Sequence, residues 1–141
     1  MLSIILYNMK ELNKQKFSEY RKKLRQLLDS IEVKAFKLIH PDPLFRGSPT
    51  EVYRRCGNAR CKCAKGGEYR HGPYKVIQIN KDGKQKQLAL KRGQEKYFDM
   101  ATLYILQKGN HKRVKELLDG IDKLLDEVIR ERTVEEIEDD E

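Results

Sequence analysis

Cys56-Gly57-Asn58-Ala59-Arg60-Cys61-Lys62-Cys63, followed after Ala64-Lys65-Gly66-Gly67-Glu68-Tyr69-Arg70 by His71-Gly72-Pro73-Tyr74, decides the reading of this chain. The spacing is C-x4-C-x-C-x7-H. Three thiols and an imidazole form the Cys₃His donor set of a closed, tetrahedral structural zinc shell. Zn²⁺ suits thiolate and imidazole and undergoes no redox change. Gly57, Gly66 and Gly67 let the backbone curl so that N–H groups point at sulfur. Arg55, Arg60, Lys62 and Lys65 favour thiolate over thiol and offset the charge of such a centre. His71 is the best fourth ligand, with His40 and His111 as alternatives. Plain reduced thiols or a redox-sensing cluster are the competing readings of the three cysteines. An iron–sulfur cluster wants a fourth Cys. The zone has few large apolar side chains, so a bound metal replaces a core there.

The segments on either side are read by period. Downstream, Tyr74 to Asn80 and Lys84 to Leu90 are strand-like runs around Lys81-Asp82-Gly83. Asp-Gly marks a two-residue hairpin turn, because both turn positions need positive φ. That register places Ile77, Ile79, Leu88 and Leu90 on one face, which packs on helices. Tyr74, Val76, Gln78, Asn80, Gln85 and Gln87 fall on the other, facing outward. Upstream, Gly47-Ser48-Pro49 reads as a turn and Glu51 to Arg55 as a short strand. Before it, Phe17, Tyr20, Leu24, Leu27 and Ile31 recur at steps of 3 and 4, one seam of a helix running from about Met9 to Asp29 or beyond. His40-Pro41-Asp42-Pro43 ends any helix. At the far end, Val114, Leu117/Leu118, Ile121, Leu124/Leu125 and Val128 make a second seam. Gly109-Asn110 either breaks this region into two helices or weakens one long helix. The seams need partners: each other, or a second chain.

Charge narrows the function. The 141 residues hold 30 Lys+Arg and 22 Asp+Glu, net +8. Residues 1–120 carry +15 and residues 121–141 carry −7, which sums to +8. Arg46 to Arg92 has 13 basic and 3 acidic residues, net +10. Such a field draws polyanions, nucleic acid first. No 18-residue apolar run exists, so no transmembrane helix is expected. Met1 to Tyr7 is apolar but short and lacks the flanks of a secretory signal. Three clustered cysteines are not a disulfide framework, and the expected location is the cytoplasm. No HExxH, phosphate-cradling Gly loop or His/Asp pairing appears, so no catalytic site is assigned.

The string Arg46-Gly47-Ser48, Tyr53-Arg54-Arg55-Cys56-Gly57, Cys61-Lys62-Cys63 and His71-Gly72-Pro73-Tyr74 resembles the core of a family of small archaeal and bacterial proteins. Their shared pattern is "RGS…RCG…CxC…HGPY", a hairpin after it, and a long C-terminal helix. The resemblance spans roughly Phe45 to Val128 and leaves the first helix outside. The family has no settled function, so the resemblance implies a fold pattern and a metal site rather than an activity. Lys75 stands where relatives often carry an aromatic residue.

Together these readings give an α+β fold, with long antiparallel, coiled-coil-like helices flanking a small zinc-stapled β-hairpin module. The segments are 1–40 (helical), 44–92 (basic zinc module), 93–135 (helical) and 136–141 (acidic tail), in one folded unit. The expected function is nucleic-acid binding, DNA before RNA, through Arg54, Arg55, Arg60, Lys62, Lys65, Arg70, Lys84, Gln85, Lys86 and Gln87. A homodimer through the helical seams is a further expectation. The competing class is a non-enzymatic interaction adaptor whose helices are the active surface.

Overall fold

The computed structural model describes residues 14–137 and 139. Helix α1 spans Lys14–Leu38, strand β1 Ser48–Arg54, strand β2 His71–Lys81, strand β3 Lys84–Ala89, and helix α2 Glu95–Arg132. Two short 3₁₀ turns, Lys62–Lys65 and Gly67–Tyr69, lie between β1 and β2. The chain is thus α+β, with two helices and a three-stranded antiparallel sheet in the order β1-β2-β3. It divides into two compact units. One joins α1 to α2 from Asn110 onward, and the other is His40–Gly109. Among the described residues no helix is long and apolar enough to cross a membrane. The expected helix start near Met9, the segment Met1 to Tyr7, and tail residues 138, 140 and 141 lie outside the described residues.

In the helical unit the two seams meet each other. Phe17, Tyr20, Leu24, Leu27 and Ile31 are the half-buried positions that the 3-and-4 spacing selects on α1. On α2, Leu117 and Leu124 are buried, and Val114, Ile121 and Val128 are half-buried. The helices run antiparallel. Tyr20 Oη donates to Glu127 at 3.2 Å, Lys16 pairs with Glu131, and Leu27 lies beside Gly120. α1 continues to Leu38, beyond Asp29, and stops at the prolines. α2 runs through Gly109-Asn110 without a break. Glycine keeps its N–H, so the i→i−4 ladder survives there at a cost of about 1 kcal/mol.

In the other unit the hairpin has the expected register, Lys81 opposite Lys84 and Ile77 opposite Leu88. Asp82 and Gly83 have φ of 54° and 73°, the doubly left-handed turn that Asp-Gly favours. Three features differ from the sequence reading. First, the hairpin is part of a three-stranded sheet. β1 starts at Ser48, so Ser48-Pro49 is strand rather than turn. β1 is an edge strand, where the missing proline N–H breaks no ladder. Second, β2 begins at His71, three residues before Tyr74. Third, the amide-bearing face is not wholly outward: Val76 is as fully buried as Ile77 on the opposite face. Leu90 lies past the end of β3, and its N–H reaches the Lys75 carbonyl at 3.3 Å. Lys75 sits over the Phe98 ring, 5.0 Å from its centroid, and Phe45 meets Tyr97 edge-on at 5.6 Å. These contacts join the sheet and its leading loop to the first turns of α2.

A Cβ on Gly120 would lie 3.8 Å from Leu27, ordinary packing distance. Gly120→Ala should therefore raise the unfolding free energy by about 1 kcal/mol. The readout is a higher urea midpoint at unchanged slope. A lower midpoint would mean that the helix pair needs that space empty.

Candidate metal centre

β1 and β2 bring the ends of the cysteine loop together. Their ladder pairs Val52 with Tyr74 and, across an irregularity, Arg54 with His71. Cys56 leaves the sheet two residues after Arg54, so backbone pairing alone sets it near His71. The rest of the loop then folds back. The Cys61 N–H bonds the Asn58 carbonyl at 3.0 Å, Ala64 bonds Cys61 at 3.0 Å, and Gly66 bonds Cys63 at 2.9 Å. Positive φ at Gly57, Gly66 and Gly67, at 82°, 72° and 57°, supports this curl.

The result is a cluster. Cys56, Cys61, Cys63 and His71 each offer one donor atom, and all four atoms lie within 4.8 Å of one another. Cys56 Sγ is 3.4 Å from Cys63 Sγ, and Cys61 Sγ is 3.3 Å from His71 Nε2. Tetrahedral ligands at a metal–sulfur distance of 2.3 Å stand about 3.8 Å apart. The observed spacing is that of side chains gathered around a space one ion wide, and the four residues can hold a metal ion. All three cysteines are unpaired thiols, and Cys63 is buried. The histidine that joins the three cysteines in this cluster is His71. His40 turns instead to Asp42, 3.3 Å from its carboxylate, and His111 lies outside the cluster.

Backbone N–H groups point at the sulfurs, as the glycine positions implied. The Cys56 N–H donates to Cys63 Sγ at 3.3 Å. The Cys56 thiol is pulled down to about 6, first by the Asn58 N–H and then by Cys63 and His71. Cys61 is lowered as well, first by the Cys63 N–H, then by the Cys63 thiol and His71. Cys63 moves the other way. The Cys56 N–H is the strongest influence and favours its thiolate, but burial and the two neighbouring sulfurs together outweigh it. His71 is raised by hydrogen bonding to Cys61, then to Cys56. Cys56 and Cys61 are thus biased toward thiolate and His71 toward imidazolium, while Cys63 is biased toward thiol. A divalent cation bound there would supply the balancing positive charge and displace the remaining protons.

The basic residues divide into two groups. Arg54, Arg55 and Arg70 line one open cleft of about 700 Å³ together with Tyr53, Gly66 and Gly67. Arg54 and Arg55 also border a smaller cleft of about 280 Å³ beside Cys56, His71, Tyr74 and Lys75. No acidic side chain lines either cleft. Gly66 matters here, because a Cβ on it would come within 2.6 Å of the Arg55 guanidinium. Arg70 Nε donates to the Gly67 carbonyl at 3.2 Å, and Arg54 donates to Gln87 Oε1 at 2.9 Å. Arg60, Lys62 and Lys65 are exposed on the cysteine loop, and Lys84, Gln85 and Lys86 on β3; none borders these clefts. Gln85 bonds Gln78 across the strands at 3.3 Å. Sequence reading did not single out Tyr53 or Gly66 as parts of the basic cleft. Tyr53 entered only as part of the Tyr53-Arg54-Arg55-Cys56-Gly57 string.

The family model described as "Domain of unknown function (DUF6788)" matches residues 17–97. The chain belongs to that family. The match includes most of α1, which the sequence resemblance had left outside, and ends near the start of α2. The cysteine cluster and the whole sheet fall within it. No curated protein and no solved structure matches the chain.

If the four residues act together, the purified protein should bind about one metal equivalent per chain. Cys61→Ser should then weaken metal affinity by more than the roughly 10–100-fold typical of changing a group that only hydrogen-bonds to a ligand. Elemental analysis with a chelator titration measures both. Equal metal content in the two proteins would exclude Cys61 as a ligand.

Proposed function

We propose that this is a zinc-containing, DNA-binding protein in which the metal centre fixes an array of guanidinium groups for phosphate. The observation that carries the reading is the cleft where Arg54, Arg55 and Arg70 converge with Gly66, Gly67 and Tyr53 and no acid. Guanidinium is weakly hydrated and forks onto phosphate oxygens in a bidentate way. Zinc is the metal of choice for three thiolates and one imidazole in a closed shell. Reduced, unpaired cysteines in such a cluster fit a reducing compartment, the cytoplasm.

The same geometry ranks the parts of the site. Gln87 already accepts from Arg54, and Gln85 already donates to Gln78. Their amides brace the sheet, so contact with the phosphate backbone takes precedence over reading of bases. Lys84 and Lys86 on β3, with Arg60, Lys62 and Lys65 on the loop, add exposed positive charge around the cleft. Exposed Tyr53, Tyr69 and Tyr74 offer stacking surfaces to unpaired bases.

Binding of random-sequence duplex DNA should fall steeply with salt. The Arg55→Ala and Arg70→Ala variants should each flatten the log–log slope by about 1 and weaken all sequences alike. A fluorescence-anisotropy titration between 50 and 200 mM salt, conditions chosen for that steepness, measures this. Tighter binding to RNA of the same length would reassign the polyanion. Wild-type protein with no salt-dependent affinity for either polymer would refute the reading and favour the adaptor class.

A further inference from the structure

The basic cleft has a neighbour of different character. Arg54 and Arg55 border both the open cleft of about 700 Å³ that holds Arg70 and a second one of about 280 Å³ lined by Tyr74, Ala89 and Leu90. Cys56 and His71 reach the edge of the second cleft, but Cys61 and Cys63 do not. It therefore lies beside the donor cluster rather than within it. One cleft offers guanidinium groups and glycine backbone. The other offers an aromatic ring and two apolar side chains. The two meet along a pair of adjacent arginines.

The sheet builds the second cleft. Side chains alternate along a strand, so Tyr74 shares a face of β2 with Val76, which pairs with Ala89 on β3. The Leu90 N–H is held by the Lys75 carbonyl at 3.3 Å, which keeps the chain beside Tyr74 after β3 ends. Arg54 reaches across to β3, where it donates to Gln87 at 2.9 Å. Tyr74 is 48% exposed. Nearby aromatic rings are already engaged: Phe45 packs on Tyr97, and Lys75 sits over Phe98. The Tyr74 ring has no such ring or cation partner among the described residues. Tyr53 borders the arginine cleft instead, and Tyr69 borders neither.

Chemistry names the occupant. Guanidinium groups take phosphate oxygens. An exposed aromatic ring takes the flat face of a base, whatever the base. A nucleotide carries both groups, joined through one sugar, as the two clefts are joined through Arg54 and Arg55. In a duplex the base faces are stacked on their neighbours, so a base must leave the stack to lie on a protein ring. The volume fits one base: it falls just below the roughly 300–1,000 Å³ of pockets for drug-sized ligands.

We infer that the cleft between Tyr74 and Leu90 is a subsite for one unpaired base of a DNA strand whose phosphates lie on Arg54, Arg55 and Arg70. The inference rests on the phosphate-binding reading above and adds the single-stranded state of the ligand to it.

Fluorescence anisotropy with three labelled DNA probes tests it at one fixed salt concentration: a single strand, a fully abasic strand of the same length, and a duplex. The wild type should bind the base-bearing strand at least about 5-fold more tightly than the abasic one, the lower bound for one base stacked on an aromatic ring. Tyr74→Ala should remove that difference and leave duplex binding and the salt slope unchanged. Tyr74→Phe, which keeps the ring, should retain the difference. Equal wild-type affinity for the two single strands would overturn the inference, as would a Tyr74→Ala variant that keeps the difference or loses duplex binding to the same extent. If Tyr74→Ala does not fold, Tyr74→Leu, which fills the space without a ring, takes its place with the same expected outcome. Steep salt dependence on both single strands with equal affinities leaves the phosphate reading standing and removes only the base subsite. No salt dependence on any of the three probes removes both.

Discussion

The convergence of three sulfurs and one imidazole on a space one ion wide is the constraint on which the basic unit depends. Four polar donors gather there with only one of the cysteines buried, in a loop with almost no apolar side chains of its own. Two things bring them together. The β1–β2 ladder holds Arg54 opposite His71, which closes the loop from its ends. Backbone N–H groups aimed at sulfur then shape it from within, with Cys56 N–H on Cys63 as the direct example. Each such bond stabilises the anionic form of its sulfur, the form a metal takes. At Cys56 and Cys61 these bonds leave the sulfur biased toward the anionic form, while at Cys63 burial and the neighbouring sulfurs outweigh them.

The arginines inherit their positions from that loop. Arg54 and Arg55 sit where β1 ends and the loop begins, and Arg70 sits where the loop re-enters the sheet. The strand pairing that joins the two ends thus also brings the three arginines to one cleft. Gly66 opens the surface on which the Arg55 guanidinium rests, and the Gln87 amide fixes Arg54 from the far strand. The polar groups of the hairpin brace these cations as well as facing solvent. β2 is covered on both faces at Val76 and Ile77, so the sheet is a supporting layer rather than a free ribbon.

Legibility differed by element, for physical reasons. Both helical seams were readable residue by residue, because a 3.6-residue period repeated over several turns leaves little ambiguity. The Asp82-Gly83 turn was readable because positive φ at two successive positions restricts the residue choice. Pro49 misled, since proline reads as a turn unless its strand is known to be an edge, and edges are settled by neighbours. His71-Gly72-Pro73 misled for a related reason: its pairing partner, around Val52 and Arg54, lies across the whole cysteine loop. Gly109-Asn110 left two outcomes open locally, and one continuous helix resulted.

For this protein the sequence alone determined the local choices: where helices run, where the hairpin turns, and which three cysteines and which candidate histidines have metal-donor chemistry. Those choices depend on backbone sterics and on periods within about twenty residues. Tertiary structure alone decided that His71 rather than His40 or His111 completes the donor set, and that the helical seams close on each other. It also decided that Arg54, Arg55 and Arg70 share one cleft. Each of these depends on distances between residues far apart in the chain, and such distances are set by strand pairing and helix packing, which no local pattern encodes.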